Sequence, residues 1–276
     1  LFHSVAAFNN SGFDMLGGGQ NLIPYQDDVF LNLVTCALVI LGGIGFLVIR
    51  EVIEKRFRWK KFSMHTKVVL FMSLVLTAAG TVLLKLTEDI TWLGAFFTSV
   101  SARTAGFSTF PLGSFSGAGL LTVIVLMVIG ASPGSTGGGI KTTTCYVLFE
   151  GIRSSATNTS EKAFRYAVPV DAFRKAAVIT LLALGIVLTG TYILVILEPG
   201  VPFLDALFEM SSAFGTAGLS TGISTGLCDA AKLLTILIMF IGRLGPLTIA
   251  SLWYFTKGER VSFPEGNLSL IHISEP

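Results

Sequence analysis

Five stretches of this chain are apolar over a length that crosses a bilayer: Val29–Ile49, Val68–Leu86, Leu120–Phe149, Ala176–Leu197 and Leu233–Phe255. A spanning helix needs about 20 such residues. Inside hydrocarbon every backbone N–H and C=O must find a partner within the protein, so segments of this length fold as helices. The rest of the chain leaves little choice. It has 276 residues, 52% of them hydrophobic and 13% charged, against roughly 25% charged in soluble domains. The expected fold class is an all-α integral membrane protein. A net charge of +2 is too small to point to nucleic acid. Cys36, Cys145 and Cys228 sit in or beside apolar segments without metal-ligand spacing, and read as small core hydrophobes.

Three shorter apolar stretches, Leu1–Phe8, Trp92–Val100 and Phe203–Phe214, are half a membrane long. Each runs into a similar turn: Asn9-Asn10-Ser11-Gly12-Phe13, Arg103-Thr104-Ala105-Gly106-Phe107 and Gly215-Thr216-Ala217-Gly218-Leu219. A short apolar helix ending in a Gly turn is the pattern of a re-entrant pore helix, because irregular backbone at membrane depth survives only where protein or water lines it. Lys and Arg gather in the segments 50–67 and 153–175, with Lys257 and Arg260 after the last span. The positive-inside rule puts those segments in the cytoplasm and all three turns on the external half.

The order span, re-entrant helix, turn, span recurs in one direction, which predicts parallel repeats around an axis normal to the membrane and a central pore. Residues 1–62 form a partial repeat that opens at the pore helix. Residues 63–172 form a complete repeat with an interrupted second span and a cytoplasmic loop. Residues 173–267 form another complete repeat, and 268–276 read as an artefact tail. The chain opens inside a motif, so the expectation is an N-terminally truncated fragment whose first repeat is missing.

The turns predict a chemistry. Dehydrating a monovalent cation requires replacement oxygens, and backbone carbonyls supply them without a fixed charge that would trap the ion. Gly12, Gly106 and Gly218 permit the positive φ that aims successive carbonyls inward. The carbonyls of Asn10, Ser11, Thr104, Ala105, Thr216 and Ala217 are the candidate ligands. No Asp or Glu lies within a turn, which argues against a divalent site. Asp14 follows the first turn, either attracting cations to the mouth or as a solvated loop acid.

The third apolar stretch is broken by Gly130-Ala131-Ser132-Pro133-Gly134-Ser135-Thr136-Gly137-Gly138-Gly139, which cannot continue a helix. Its place below the turns predicts a flexible loop that occludes the path, with Gly134, Gly137, Gly138, Gly139 and the following Lys141 as gate residues. It is not a phosphate-binding Gly loop, because Ile140 separates Gly139 from Lys141. Arg243, twelve residues before the end of the fifth stretch, is a costly intramembrane charge. It reads as a cation below the turns that pairs with the Gly loop or with Glu209. Arg103 reads as an anchor of the second turn toward the external side.

At these residues the chain resembles the Trk/Ktr/HKT superfamily of potassium transporters, in particular the membrane subunit of bacterial Ktr or Trk systems. The resemblance implies a pseudo-fourfold potassium-channel-like pore in which each of four repeats gives one filter glycine, here Gly12, Gly106 and Gly218. It implies K+ as the transported ion, with Na+ as a candidate activator, and a multi-pass protein of the bacterial plasma membrane. Its implied partners are a second copy of the chain and a cytoplasmic nucleotide-binding subunit. An ion-coupled secondary transporter of another solute is the alternative, and it would need intramembrane acids or inverted repeats. A membrane enzyme would need a nucleophile–base pair or a metal-ligand set, which the sequence does not offer.

Overall fold

The computed structural model describes residues 1–16, 20–157, 162–164 and 166–245. Ten helices make up this part of the chain: α1 (Phe2–Phe8), α2 (Val29–Ile44), α3 (Phe46–Glu54), α4 (Met64–Thr87), α5 (Trp92–Ala102), α6 (Gly117–Val128), α7 (Thr142–Thr157), α8 (Val170–Leu197), α9 (Phe203–Gly215) and α10 (Asp229–Leu244). A two-stranded hairpin, β1 (Lys162–Ala163) with β2 (Tyr166–Ala167), joins α7 to α8. The fold is the expected all-α membrane class with this one small addition.

Helices α4 and α8 are long and apolar enough to cross a membrane by themselves. At 24 and 28 residues they reach about 36 and 42 Å. Each keeps more than half of its apolar window unburied, and Leu74, Leu86, Leu181, Leu188 and Ile196 stand exposed where lipid would cover them. α4 starts at the basic segment holding Lys60 and Lys61, and α8 carries Arg174 and Lys175 in its second turn. The basic ends therefore lie opposite the starts of α5 and α9.

The expected single span Val29–Ile49 is corrected. The helix stops at Ile44, Gly45 takes φ +90°, and α3 leaves at 97°. Only glycine adopts that φ without penalty. The expected span Leu233–Phe255 is a helix from Asp229 only to Leu244, stopped by Gly245 at φ +89°. Residues after 245, with the tail 268–276, lie outside the described residues.

Helix ends follow local chemistry. Ser63, Thr91 and Ser116 cap α4, α5 and α6 by accepting from the amides of Thr66, Gly94 and Gly119. Two glutamates at equivalent places fasten one span of a unit to the next. Glu88 accepts from the Ser116 amide and hydroxyl, and Glu198 accepts from the Cys228 amide. That last bond holds the Glu198 carboxyl below the usual carboxylate range. It also corrects the reading of Cys228 as core, since this residue is an exposed helix cap. Cys36 is buried as expected, and Cys145 is half-buried.

Of the short helices, α5 and α9 are wedged between spans, and α1 packs on α2. α2 packs on α1 and α5, α6 packs on α5 and α9, and α10 packs on α9 and α8. Three apolar clusters result: one around Ala7, Val39, Phe97 and Phe107, one around Leu84, Val123, Met127 and Phe208, and one around Leu194, Met210, Phe214 and Ile238. Close approach requires glycine at two matched points. A Cβ at Gly42 would overlap the carbonyl oxygen of Phe8, and one at Gly242 that of Phe214. Gly242→Ala should therefore cost about 3 kcal/mol through overpacking. Gly185→Ala, on an α8 face with nothing within 4 Å, should gain about 0.5–1 kcal/mol. Thermal unfolding of the detergent-solubilised whole protein checks the pair.

Candidate functional site

The three turns meet at one point. A Cβ at Gly12 would lie 2.7 Å from the carbonyl oxygen of Ala105, and one at Gly106 would lie 2.5 Å from that of Ala217. The first turn thus abuts the second, and the second abuts the third, each through the carbonyl before the neighbour's glycine. Gly106 also faces the Cα atoms of Gly12 and Gly218 within 3.4 Å of its Cβ position. The glycines are packed on one another. The Cβ direction of Gly218 meets only the Gly106 Cα, at 3.6 Å.

The turns share one backbone pattern. Asn10, Thr104 and Thr216 have φ of +51°, +78° and +50°, and two residues later Gly12, Gly106 and Gly218 have +68°, +82° and +82°. A left-handed residue, one of negative φ and a left-handed glycine follow in each turn. A positive φ near these values is the left-handed region. For glycine it is free of strain, but for a β-branched threonine it is an outlier that costs about 1–3 kcal/mol and persists where the surroundings enforce it. The enforcement is visible. Ser11, Ala105 and Ala217 donate their amides to Ala6, Ser101 and Ser212 in the preceding short helices, at 2.9–3.1 Å. Ser101 also donates to the Phe107 carbonyl, and Asn21 to the Gly106 carbonyl. With the Asn10 amide nitrogen facing the carbonyls of Ala7 and Val39, its oxygen faces the Thr104 hydroxyl. The left-handed threonines are the feature that sequence reasoning missed. Their recurrence two residues before Gly106 and Gly218 was the available signal.

The interrupted stretch lies directly beneath. Ile129 and Ile140 bridge in parallel, so the chain leaves α6 and returns to the same level before α7. A Cβ at Gly137 would overlap the Thr104 hydroxyl, and one at Gly138 the Thr216 hydroxyl. The loop therefore touches the inner ends of the second and third turns. It is fixed by backbone pairing with the broken end of α2. Ser132 N donates to Gly43 O at 3.1 Å, Thr136 N to Gly42 O at 3.3 Å, and Phe46 N to Gly134 O at 3.1 Å. Lys141 closes the loop by donating to Gly137 O at 2.8 Å, and Ser132 meets the Thr142 hydroxyl at 2.9 Å.

Arg243 donates to Thr136 O and so holds the loop from the opposite side to α2. It sits in the last turn of α10, where a cation suits the helix dipole; the expected continuation of the span to Phe255 lies outside the described residues. Of its two expected partners, the loop is the actual one. Glu209 is buried in α9 and accepts from Ser220 and from Ser224, at 2.8 Å for the latter, beyond the third turn. Arg103 is also corrected. It is buried and donates to the Thr77 hydroxyl at 2.7 Å, midway along α4, so it points into the membrane. Asp14 accepts from the Leu16 amide in a local turn.

Outside the glycines lies a cavity of about 430 Å³ whose lining mixes apolar residues such as Phe110, Pro111 and Leu112 with the hydroxyl residues Ser108, Ser220, Thr221 and Ser224. Among the described residues no three His, Cys, Asp or Glu side chains gather as a metal site. The oxygens at the meeting point are backbone and hydroxyl oxygens, a hard, uncharged donor set suited to a monovalent cation.

Residues 1–256 match a family described as TrkH, cation transport protein. The chain is 37% identical to Ktr system potassium uptake protein B of Bacillus subtilis over 282 residues, covering 97% of this chain and 62% of the relative. It is 35% identical to the potassium/sodium uptake protein NtpJ of Enterococcus hirae, over 90% of this chain and 58% of the relative. The chain thus spans about three fifths of the length of the curated relatives it matches. Its fold is that of the crystal structure of the potassium transporter TrkH from Vibrio parahaemolyticus, with a TM-score of 0.73 at 21% identity, over 91% of this chain and 57% of that one.

Replacing Glu209 by Ala strands two hydroxyl donors and should cost about 2 kcal/mol of stability. Glu209→Gln, which keeps acceptor oxygen in place, should recover most of it in the same thermal unfolding measurement.

Proposed function

The chain belongs to the TrkH family of cation transport proteins, and we propose that in the whole protein it carries potassium across the bacterial plasma membrane through a filter of backbone carbonyls. One observation carries this reading: three turns with the same alternation of positive, negative and positive φ converge, with the Ala105 and Ala217 carbonyls close to the neighbouring glycines. The names of the relatives, potassium uptake proteins of Ktr systems, give the ion. Potassium is the cargo. Sodium is kept as a candidate activator; NtpJ is named for uptake of potassium and sodium together.

In this reading Asn10, Ser11, Gly12, Thr104, Ala105, Gly106, Thr216, Ala217 and Gly218 line the filter. It closes around an ion when a further turn seats beside Gly218 and Gly12, where the three described turns leave an uncovered side. α10 supports that placement. α2 and α6 each cover the next short helix, while Leu233, Ile236, Met239 and Phe240 of α10 are exposed. The segment with Gly134, Gly137, Gly138 and Gly139 is the gate, held shut by Lys141 and Arg243. A second copy of the chain and a cytoplasmic nucleotide-binding subunit are the proposed partners, the latter docking on the basic face formed by 50–67 and 153–175.

The test is rubidium uptake by the whole protein in a host deficient in potassium uptake. Gly106→Asp and Gly218→Asp should each reduce uptake to the level of the empty host, since each places a side chain and a charge among the turns. Uptake that persists in both variants would sink the filter. Deleting Gly134–Gly139 should raise uptake above wild type; unchanged or lower uptake at equal membrane abundance would count against the gate.

A further inference from the structure

Arg103 is a buried cation that none of the ion pairs among the described residues includes. A guanidinium presents five N–H donors in a fixed fork. One of them reaches the Thr77 hydroxyl, and the buried Nε has no partner. Such a group is expensive inside a membrane and marks a functional site. Its surroundings indicate its role. Arg103 lines one narrow crevice with Ile40, Gly43, Ser73, Val100 and Ala131. The crevice thus joins the broken end of α2, the middle of α4 and the start of the loop after α6. In the described structure the Gly43 carbonyl accepts from the amide of Ser132, the residue that follows Ala131. If the loop withdraws, that carbonyl loses its donor at membrane depth, where no water replaces it.

We infer that Arg103 is a positioning residue that exchanges partners during gating: bound to Thr77 while the loop is seated, and donating to the Gly43 carbonyl once the loop has left. The exchange gives the withdrawn state a satisfied backbone and makes the loop bistable. It rests on the gate reading above. The equivalent positions before the other two turns, Asn9 and Gly215, carry no charge. The device therefore belongs to the unit whose second span is broken by the Gly-rich loop.

A double-mutant cycle in the whole protein tests it by rubidium uptake normalised to membrane abundance. Arg103→Met should lower uptake about tenfold with the loop intact and less than about twofold when Gly134–Gly139 is deleted, because the loop is then no longer there to reseat. Arg103→Lys, which keeps a cation with fewer donors, should fall between Met and wild type. An equal loss in both backgrounds, or no loss with the loop intact, would overturn the inference. Should Arg103→Met fail to reach the membrane, Thr77→Val decides. It removes only the closed-state bond and should raise uptake, whereas unchanged or lower uptake overturns the exchange. Failure of the loop deletion to raise uptake removes the gate reading itself. A deletion that raises uptake alongside an indifferent Arg103→Met removes only the exchange.

Discussion

Backbone groups at membrane depth have no solvent to fall back on, and the centre of this molecule is arranged around that fact. The helices satisfy themselves. The three turns and the loop between α6 and α7 cannot: the turns lean on the ends of the short helices before them, and the loop is completed by the broken end of α2. Ser132 and Thr136 use carbonyls that the break at Gly45 leaves at the end of α2, and Phe46, starting α3, uses the Gly134 carbonyl in return. Two interruptions that would each be costly alone are tolerable together. The same dependence couples the pair, since neither side can move without stranding partners on the other.

Repetition explains how three different sequences reach one geometry. The side chains of the turns vary from Asn-Ser to Thr-Ala, but the sign of φ does not. What is held constant lies in the backbone and in the glycines that let helices approach. Gly42 and Gly242 sit against the ends of α1 and α9 in the same way, and Gly45 and Gly245 end their helices with nearly the same dihedrals. Side chains are then free to differ where the units have different tasks. Glu209, for example, ties the outer segment of the third turn to α9.

Much of this was legible in the residues. Apolar length located α4 and α8, and the half-length stretches located α5 and α9 to within two residues. Gly12, Gly106 and Gly218 stood out because glycine at matched positions has few other reasons to recur. Less legible was anything decided by tertiary contact. Apolar composition continues through Gly45, so periodicity gave one span where the loop's carbonyl and amide partners produce a 97° bend. The partner of Arg243 could not be read from charge, because the group it meets is the Thr136 carbonyl and not the acid Glu209. The direction of Arg103 likewise depended on the distance from α5 to the middle of α4, which no local pattern encodes.

Membership of the TrkH family and the crystallographic fold relationship agree with an architecture derived from span length, turn chemistry and backbone pairing. The central claim is that ions pass where the Ala105 and Ala217 carbonyls face the glycines. Anomalous diffraction from crystals of the whole protein soaked in thallium, a heavy mimic of potassium, tests it most directly. Thallium density centred among Gly12, Gly106 and Gly218 is the expected result. Well-ordered turns with no density there, and thallium bound at carboxylates elsewhere in the molecule, would contradict it.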